Sequence, residues 1–194
     1  HALQNVKNDK VLRLTMLFHD MGKPVMKTTD ENGRDHFKGH AIASEQIAKT
    51  VMKRLKFDND TIRKVTKLVA YHDYRMEPTG ANVRRAMHEI GVELFPYYLA
   101  VRLADTKAQS SYERRGKLEN IIQIRELYRN ALRNKECVTL KDLAVTGTDL
   151  INLGIAPGKE LGTLLNELLD IVIEDPAWNQ KGKLCDYVKE RFGF

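Results

Sequence analysis

Cysteine is scarce. Cys137 and Cys185 are the two in 194 residues, far apart and with no Cys-x-x-Cys pair. That excludes a disulfide framework and a cysteine zinc site, and leaves two reduced packing thiols of the cytosolic kind. Long apolar runs are missing as well. The run Leu94 to Val101 falls well short of the ~20 residues that a membrane-spanning helix needs. No stretch has the charged-then-apolar pattern of a secretory leader. Internal repeats and low-complexity tracts are absent, so neither a solenoid nor a biased tail is expected. These absences point to a cytoplasmic protein with no membrane partner.

What is present is enough apolar material for a core, 42% of residues, and 30% charged residues to cover it. The length fits one medium domain, or a domain with a small appendage. The net charge of +6 and pI near 9.2 fit a polyanionic partner such as RNA, or a phosphorylated substrate. A generic basic surface explains the same numbers equally well.

Read in order, the chain is almost entirely helical. His1 to Val6 has the pattern of the last turns of a helix with no cap before it, as if the chain were a piece of something longer. Asn8-Asp9 then cap a largely buried helix with Val11, Leu12, Leu14, Met16, Leu17 and Phe18, ending at His19-Asp20. Residues 25–38, with Asn32-Gly33 at the centre, predict a small hairpin. Gly39-His40 opens a helix bearing Ile42, Ile47, Val51 and Met52. Asp58, or Asn59-Asp60, caps another that ends at Tyr71-His72-Asp73. Helices follow over about 81–90, over 92–109 with Pro96 in the first turn, and over 112–134. A polar break at Asn134-Lys135-Glu136 divides the chain into residues 1–135 and 136–194, the second part being short helices with glycine turns.

The organising stretch is Leu14 to Pro24. There an apolar helix runs straight into an imidazole, a carboxylate, Gly22, Lys23 and a proline. His19 and Asp20 are costly to bury without a partner, and together they make a nitrogen and oxygen ligand set for a divalent cation. An ordinary helix C-terminus, with Lys23 meeting the helix dipole, accounts for the dipeptide alone. His40 opens a helix, His72 ends one, and Asp105 is an acid in the apolar segment Val101-Arg102-Leu103-Ala104-Asp105. Singly, each has a bland explanation; Asp105 is the hardest to explain that way, because it must find a cation or donors. The basic residues Lys53 and Arg54, Arg84 and Arg85, and Arg125 and Arg129 are candidate phosphate contacts. The last pair sits at helix spacing four on one face, though solvated faces mixed with glutamates fit equally.

His19-Asp20, His40, His72 and Asp105 together resemble the HD-type metal-dependent phosphohydrolase pattern. A longer likeness runs through Val11-Leu12-Arg13-Leu14, His19 to Pro24, His36-Phe37-Lys38-Gly39-His40, Leu55-Lys56-Phe57, Asn82 to Ala86 and Ala104-Asp105. Those segments resemble the HD-containing C-terminal part of bacterial CCA-adding tRNA nucleotidyltransferases and their poly(A) polymerase-like relatives. Leu140 to Leu150, Gly154 to Gly158 and Leu161-Gly162 resemble that family's RNA-binding tail.

The resemblance implies an all-α fold: an HD-type helical domain over 1–135 with a hairpin insertion and a truncated first helix, then a small helical RNA-binding tail over 136–194. It implies metal ligands His19, Asp20, His40, His72 and Asp105, with Asp20 and Lys23 as catalytic groups. His19, Asp20 and Asp105 would hold one divalent ion, and Asp20 would bridge to a second held by His40 and His72. The ion is Mg, Mn, Ni, Co, Fe or Zn. Substrates would be phosphomonoesters or 2′,3′-cyclic phosphodiesters, on a small molecule or an RNA end, with tRNA as partner. The family's nucleotidyltransferase head lies upstream, and its glycine-rich turn with paired acids is not in these residues. The HD pattern also begins with a histidine about one helical turn before His1; His1 stands on the same helix. The expectation is therefore an enzyme, a metal-dependent phosphohydrolase region. The alternatives are a non-catalytic tRNA-holding body with a vestigial site, and a plain helical scaffold.

Overall fold

The structure is a computed structural model and describes residues 2–193. His1, the stand-in for the first ligand of the pattern, lies outside the described residues. The chain forms two compact units, one of His1–Met76 and Ile90–Gln123, the other of Glu77–Glu89 and Ile124–Phe194.

The first unit opens with a 3-10 turn, Ala2–Asn5, where the sequence read as the end of an α-helix. Helix α1, Lys10–Phe18, starts at Asp9, whose carboxylate accepts the Leu12 N–H at 2.9 Å. This helix is the hub, because it is apolar on two sides. Phe18, with Val11 and Leu14, packs with Ala48, Met52, Ile62, Val65 and Val69. Leu12 and Met16 pack with Val101 and Ala104. The first cluster joins α1 to α3, His40–Arg54, and α4, Asn59–Tyr71; the second joins it to α6, Phe95–Ala108.

Between α1 and α3 lie a single helical turn, α2 (Lys23–Met26), and a hairpin of β1 (Thr28–Thr29) and β2 (Asp35–His36). The strands are antiparallel, with Thr28 opposite His36 and Thr29 opposite Asp35. The predicted Asn-Gly turn closes the hairpin: Gly33 takes φ +75°, and Asp30 accepts the N–H groups of Asn32 and Arg34. Asp58 caps α4 by accepting the Thr61 N–H at 2.8 Å. The all-α expectation with one small hairpin therefore holds.

The second unit contains most of α5 (Gly80–Ile90), the later part of α7 (Arg114–Arg133), α8 (Gly147–Asn152), α9 (Lys159–Glu174) and α10 (Lys181–Phe192). Leu150, Leu164, Leu168, Leu169, Val172, Ile173, Leu184 and Val188 form its core. Thr146 and Asp149 of the tail motif are a capping box: each side chain accepts the other's backbone N–H, which starts α8. Cys137 is buried and Cys185 half-buried, both as free thiols.

The two compact units do not follow a single cut at 135/136. Residues 77–89 and 124–135 go with the tail. Arg84 is the reason. Its guanidinium donates to the carbonyls of Ile173 at 2.7 Å and Glu174 at 3.0 Å, and to the Glu136 carboxylate at 2.8 Å. A polar break at 134–136 marks a surface loop, and a loop is not by itself a boundary.

Candidate metal centre

The site is built where helices of the first unit end, and each ligand candidate extends a buried stripe. On α1 the stripe Leu12, Met16 continues to His19. On α4 the stripe Ile62, Val65, Val69 continues to His72. On α3, Ser44, Ala48 and Met52 point back, four residues at a time, to His40. On α6, Val101 leads to Asp105. The same periodicity that buries the apolar faces brings four polar side chains to one place.

All three rings are held alike. Nδ1 of His19 bonds the Met16 carbonyl at 2.8 Å, that of His40 the Phe37 carbonyl at 2.8 Å, and that of His72 the Val69 carbonyl at 2.7 Å. A ring nitrogen against a carbonyl has to donate, so the Nδ1 proton is fixed and Nε2 is turned inward. The Nε2 atoms of His40 and His72 are 3.1 Å apart. Asp20 stands between the rings. Its Oδ2 is 3.2 Å from His19 Nε2, and its Oδ1 is 3.5 Å from His40 Nε2 and 3.6 Å from His72 Nε2. Asp105 Oδ1 is 3.7 Å from His19 Nε2. One ligand atom each from Asp20, His40 and His72 lie within 4.8 Å of one another. Asp20 Oδ1 is buried and has no hydrogen-bond partner.

The electrostatics call for positive charge here. Burial works against the His19 imidazolium, yet Asp105 and Asp20 outweigh it and raise the group to about 9. Burial likewise opposes the Asp20 carboxylate, but His19, His72 and Lys23 hold its carboxyl well below the usual range. Asp105 is lowered against burial by His19. A proton or a metal ion on the His19 side satisfies the same two carboxylates.

All five expected ligands thus meet in one place, and Lys23 joins them, its Nζ 2.6 Å from Asp20 Oδ2. Two further residues support the site, and the sequence reading missed both. Gln109 donates to Asp105 Oδ2 at 2.7 Å and accepts from Lys117 Nζ at 3.1 Å. It stands four residues after Asp105, just past the last residue of α6, and that spacing was a usable signal. Ser44 Oγ accepts the Gly22 N–H at 2.8 Å, fixing the loop after Asp20 against α3. Asp20, His40, His72 and Asp105 line a cleft of about 490 Å³ whose other walls include Arg34, Phe37, Lys38 and Arg75.

The expected phosphate contacts fare unevenly. Lys53 and Arg54 are exposed at the end of α3. Arg85 is half-buried and pairs with Glu174, Arg129 is exposed and pairs with Glu126 within its own helix, and Arg125 is half-buried. Arg84 is 7% exposed, and its guanidinium is committed to two carbonyls and Glu136 within the second unit.

Among the described residues no helix is long and apolar enough to cross a membrane. No solved structure matches the chain significantly. The family model for tRNA nucleotidyltransferase domain 2 matches residues 40–188, which takes in His40, His72, Asp105 and most of the tail. The CC-adding tRNA nucleotidyltransferase of Thermus thermophilus is 30% identical over 168 residues, 84% of this chain. The chain spans 36% of that relative's length. Taken with the all-helical fold, these matches establish that the chain belongs to the tRNA nucleotidyltransferase family.

Proposed function

We propose that the cluster binds a divalent cation and that this region hydrolyses phosphoesters, on a phosphorylated small molecule or an RNA end. The observation that carries the reading is Asp20 Oδ1. It is buried without a donor, and its nearest neighbours are two imidazole nitrogens whose other nitrogens already hold protons on carbonyls. A buried carboxylate oxygen left so is costly, and a cation removes the cost for all three groups at once. The donor set of imidazole and carboxylate suits Mn, Fe, Co, Ni, Zn or Mg.

Such an ion, when bound, lowers the pKa of a water to roughly 7 and neutralises charge on a phosphoryl group. The protein's own contribution is placement. Asp20 divides its oxygens between the His19 side and the His40–His72 side. Gln109 fixes Asp105 Oδ2, so that Oδ1 faces His19. Lys23 is positioned to exchange its contact with Asp20 for a substrate phosphate, as a point charge. We place the protein in the cytoplasm with tRNA as its macromolecular partner, held through cations such as Lys53, Arg54, Arg85, Arg125 and Arg129. An upstream nucleotidyltransferase domain in the parent polypeptide is part of the same reading.

Metal content of the purified chain, followed by phosphate release with Mn or Ni added, tests the proposal. Bound transition metal, turnover, and loss of both in Asp20→Ala with helicity retained is the expected result. A chain that takes up no metal, yet binds tRNA with an affinity that falls steeply with salt, supports the non-catalytic holding body instead.

A further inference from the structure

The cations around the metal cleft are not equivalent. Lys23 pairs with Asp20, Arg75 with Asp73 at 3.0 Å and Lys27 with Asp35 at 2.8 Å. Arg34 and Lys38 also line the cleft, and among the described residues neither side chain has a hydrogen bond or ion pair. Both lie on the hairpin segment that leads into His40. That segment is well held: Asp30 clamps the turn through the Asn32 and Arg34 N–H groups, and Thr29 Oγ bonds Asp35 at 2.7 Å. Two unpaired cations beside a centre that gathers positive charge repel it unless an anion lies between them.

We propose that Arg34 and Lys38 form a second anion subsite, which takes a phosphate group next to the one being hydrolysed. This rests on the phosphohydrolase reading and narrows its substrate class to molecules with two neighbouring phosphates. Lys23 already serves the phosphate at the ligands, so the hairpin pair is surplus for a simple monoester. A volume of about 490 Å³ accommodates a nucleotide-sized group. The second phosphate has two possible sources, the other half of a diphosphate or the next phosphodiester of an RNA chain.

The test compares the wild-type chain, Arg34→Ala with Lys38→Ala, and a charge-matched control, Lys10→Ala with Lys189→Ala. Binding of inorganic pyrophosphate and of inorganic phosphate to the Mn-loaded protein is titrated for each. The hairpin variant is expected to lose at least about tenfold more affinity for pyrophosphate than for phosphate, while the control keeps the wild-type ratio. Equal losses for the two anions, or no loss, overturn the subsite. Turnover of a nucleoside diphosphate against a short RNA with a 3′-phosphate then tells which source is used, by which KM rises in the hairpin variant. If the wild-type chain binds Mn but turns over neither, the phosphohydrolase reading fails while the binding ratio still decides the subsite.

Discussion

Gly22 is where the candidate metal centre is most exposed to a small change. Its φ of −79° and ψ of −13° suit any residue, so alanine brings no backbone strain. Space is the obstacle. A methyl group there meets the His40 carbonyl oxygen at 2.4 Å, the Ser44 nitrogen at 2.6 Å and the Ala43 Cβ at 2.8 Å. Comfortable separations are about 3.5 Å, so the loop has to retreat from α3 by roughly 1 Å. Backbone cannot rotate out of the way as a side chain would. Overpacking of this kind costs about 1–3 kcal/mol, and weakening the Gly22 N–H to Ser44 bond adds about 1. Gly22→Ala is therefore expected to lower the melting temperature by roughly 4–16 °C at 2–4 °C per kcal/mol. The retreat also separates Asp20, two residues before Gly22, from His40, whose Nε2 is now 3.5 Å from Asp20 Oδ1. Metal affinity should fall more than stability does. The assay is a pair of melts, in chelator and in Mn, with Gly116→Ala as control, because a methyl at Gly116 meets nothing within 4 Å. A Gly22→Ala protein with wild-type melting and the wild-type Mn-induced shift would refute the reasoning.

Gln109→Ala leaves Asp105 free to turn, and should weaken Mn binding roughly 10–100-fold with little effect on unfolding in chelator; unchanged Mn titration would remove Gln109 from the site. Arg84→Met strands Glu136 and two carbonyls, with an expected loss of about 3–5 kcal/mol in urea unfolding, against about 0.5 or less for Arg85→Met. Equal losses for these neighbours would contradict the division of roles drawn here. His19 gives a pH dependence with a definite sign. Its folded value of about 9 lies above the ordinary 6.5, so in chelator its contribution to stability is full below 6.5 and is lost as pH rises through 9. Metal needs the unprotonated Nε2, so the Mn-induced rise in melting temperature should grow from pH 6.5 to 9. A shift that stays flat over that range counts against His19 as a ligand.

The grouping of these side chains was expected from the resemblance to the HD pattern, and the structure shows the packing that lies behind it. His19, His40, His72 and Asp105 each occupy the next place in a buried stripe of its own helix, and stripes that share a core must converge. The hairpin was legible for a local reason, the positive φ that Asn-Gly permits. The burial of Arg84 was not legible because nothing around it in sequence differs from Arg85; its partners are Glu136, Ile173 and Glu174, far along the chain. Arg34 and Lys38 went unnoticed for the opposite reason. Their importance lies in having no partner among the described residues, and a sequence does not reveal which cations stay unpaired.

That contrast says how polar residues in the two units should be weighed. Arg84 is fully satisfied: its three bonds hold the second unit together, and nothing is left over for a ligand. Asp20 is the reverse, with one oxygen held by Lys23 and the other buried without a donor. A fold selected for stability alone would have no reason to carry an unsatisfied carboxylate oxygen at the meeting point of three helix ends, since an apolar side chain there costs less. Local rules are broken where function demands it, and here the broken rule, the aligned imidazoles and the free hairpin cations all lie along one cleft.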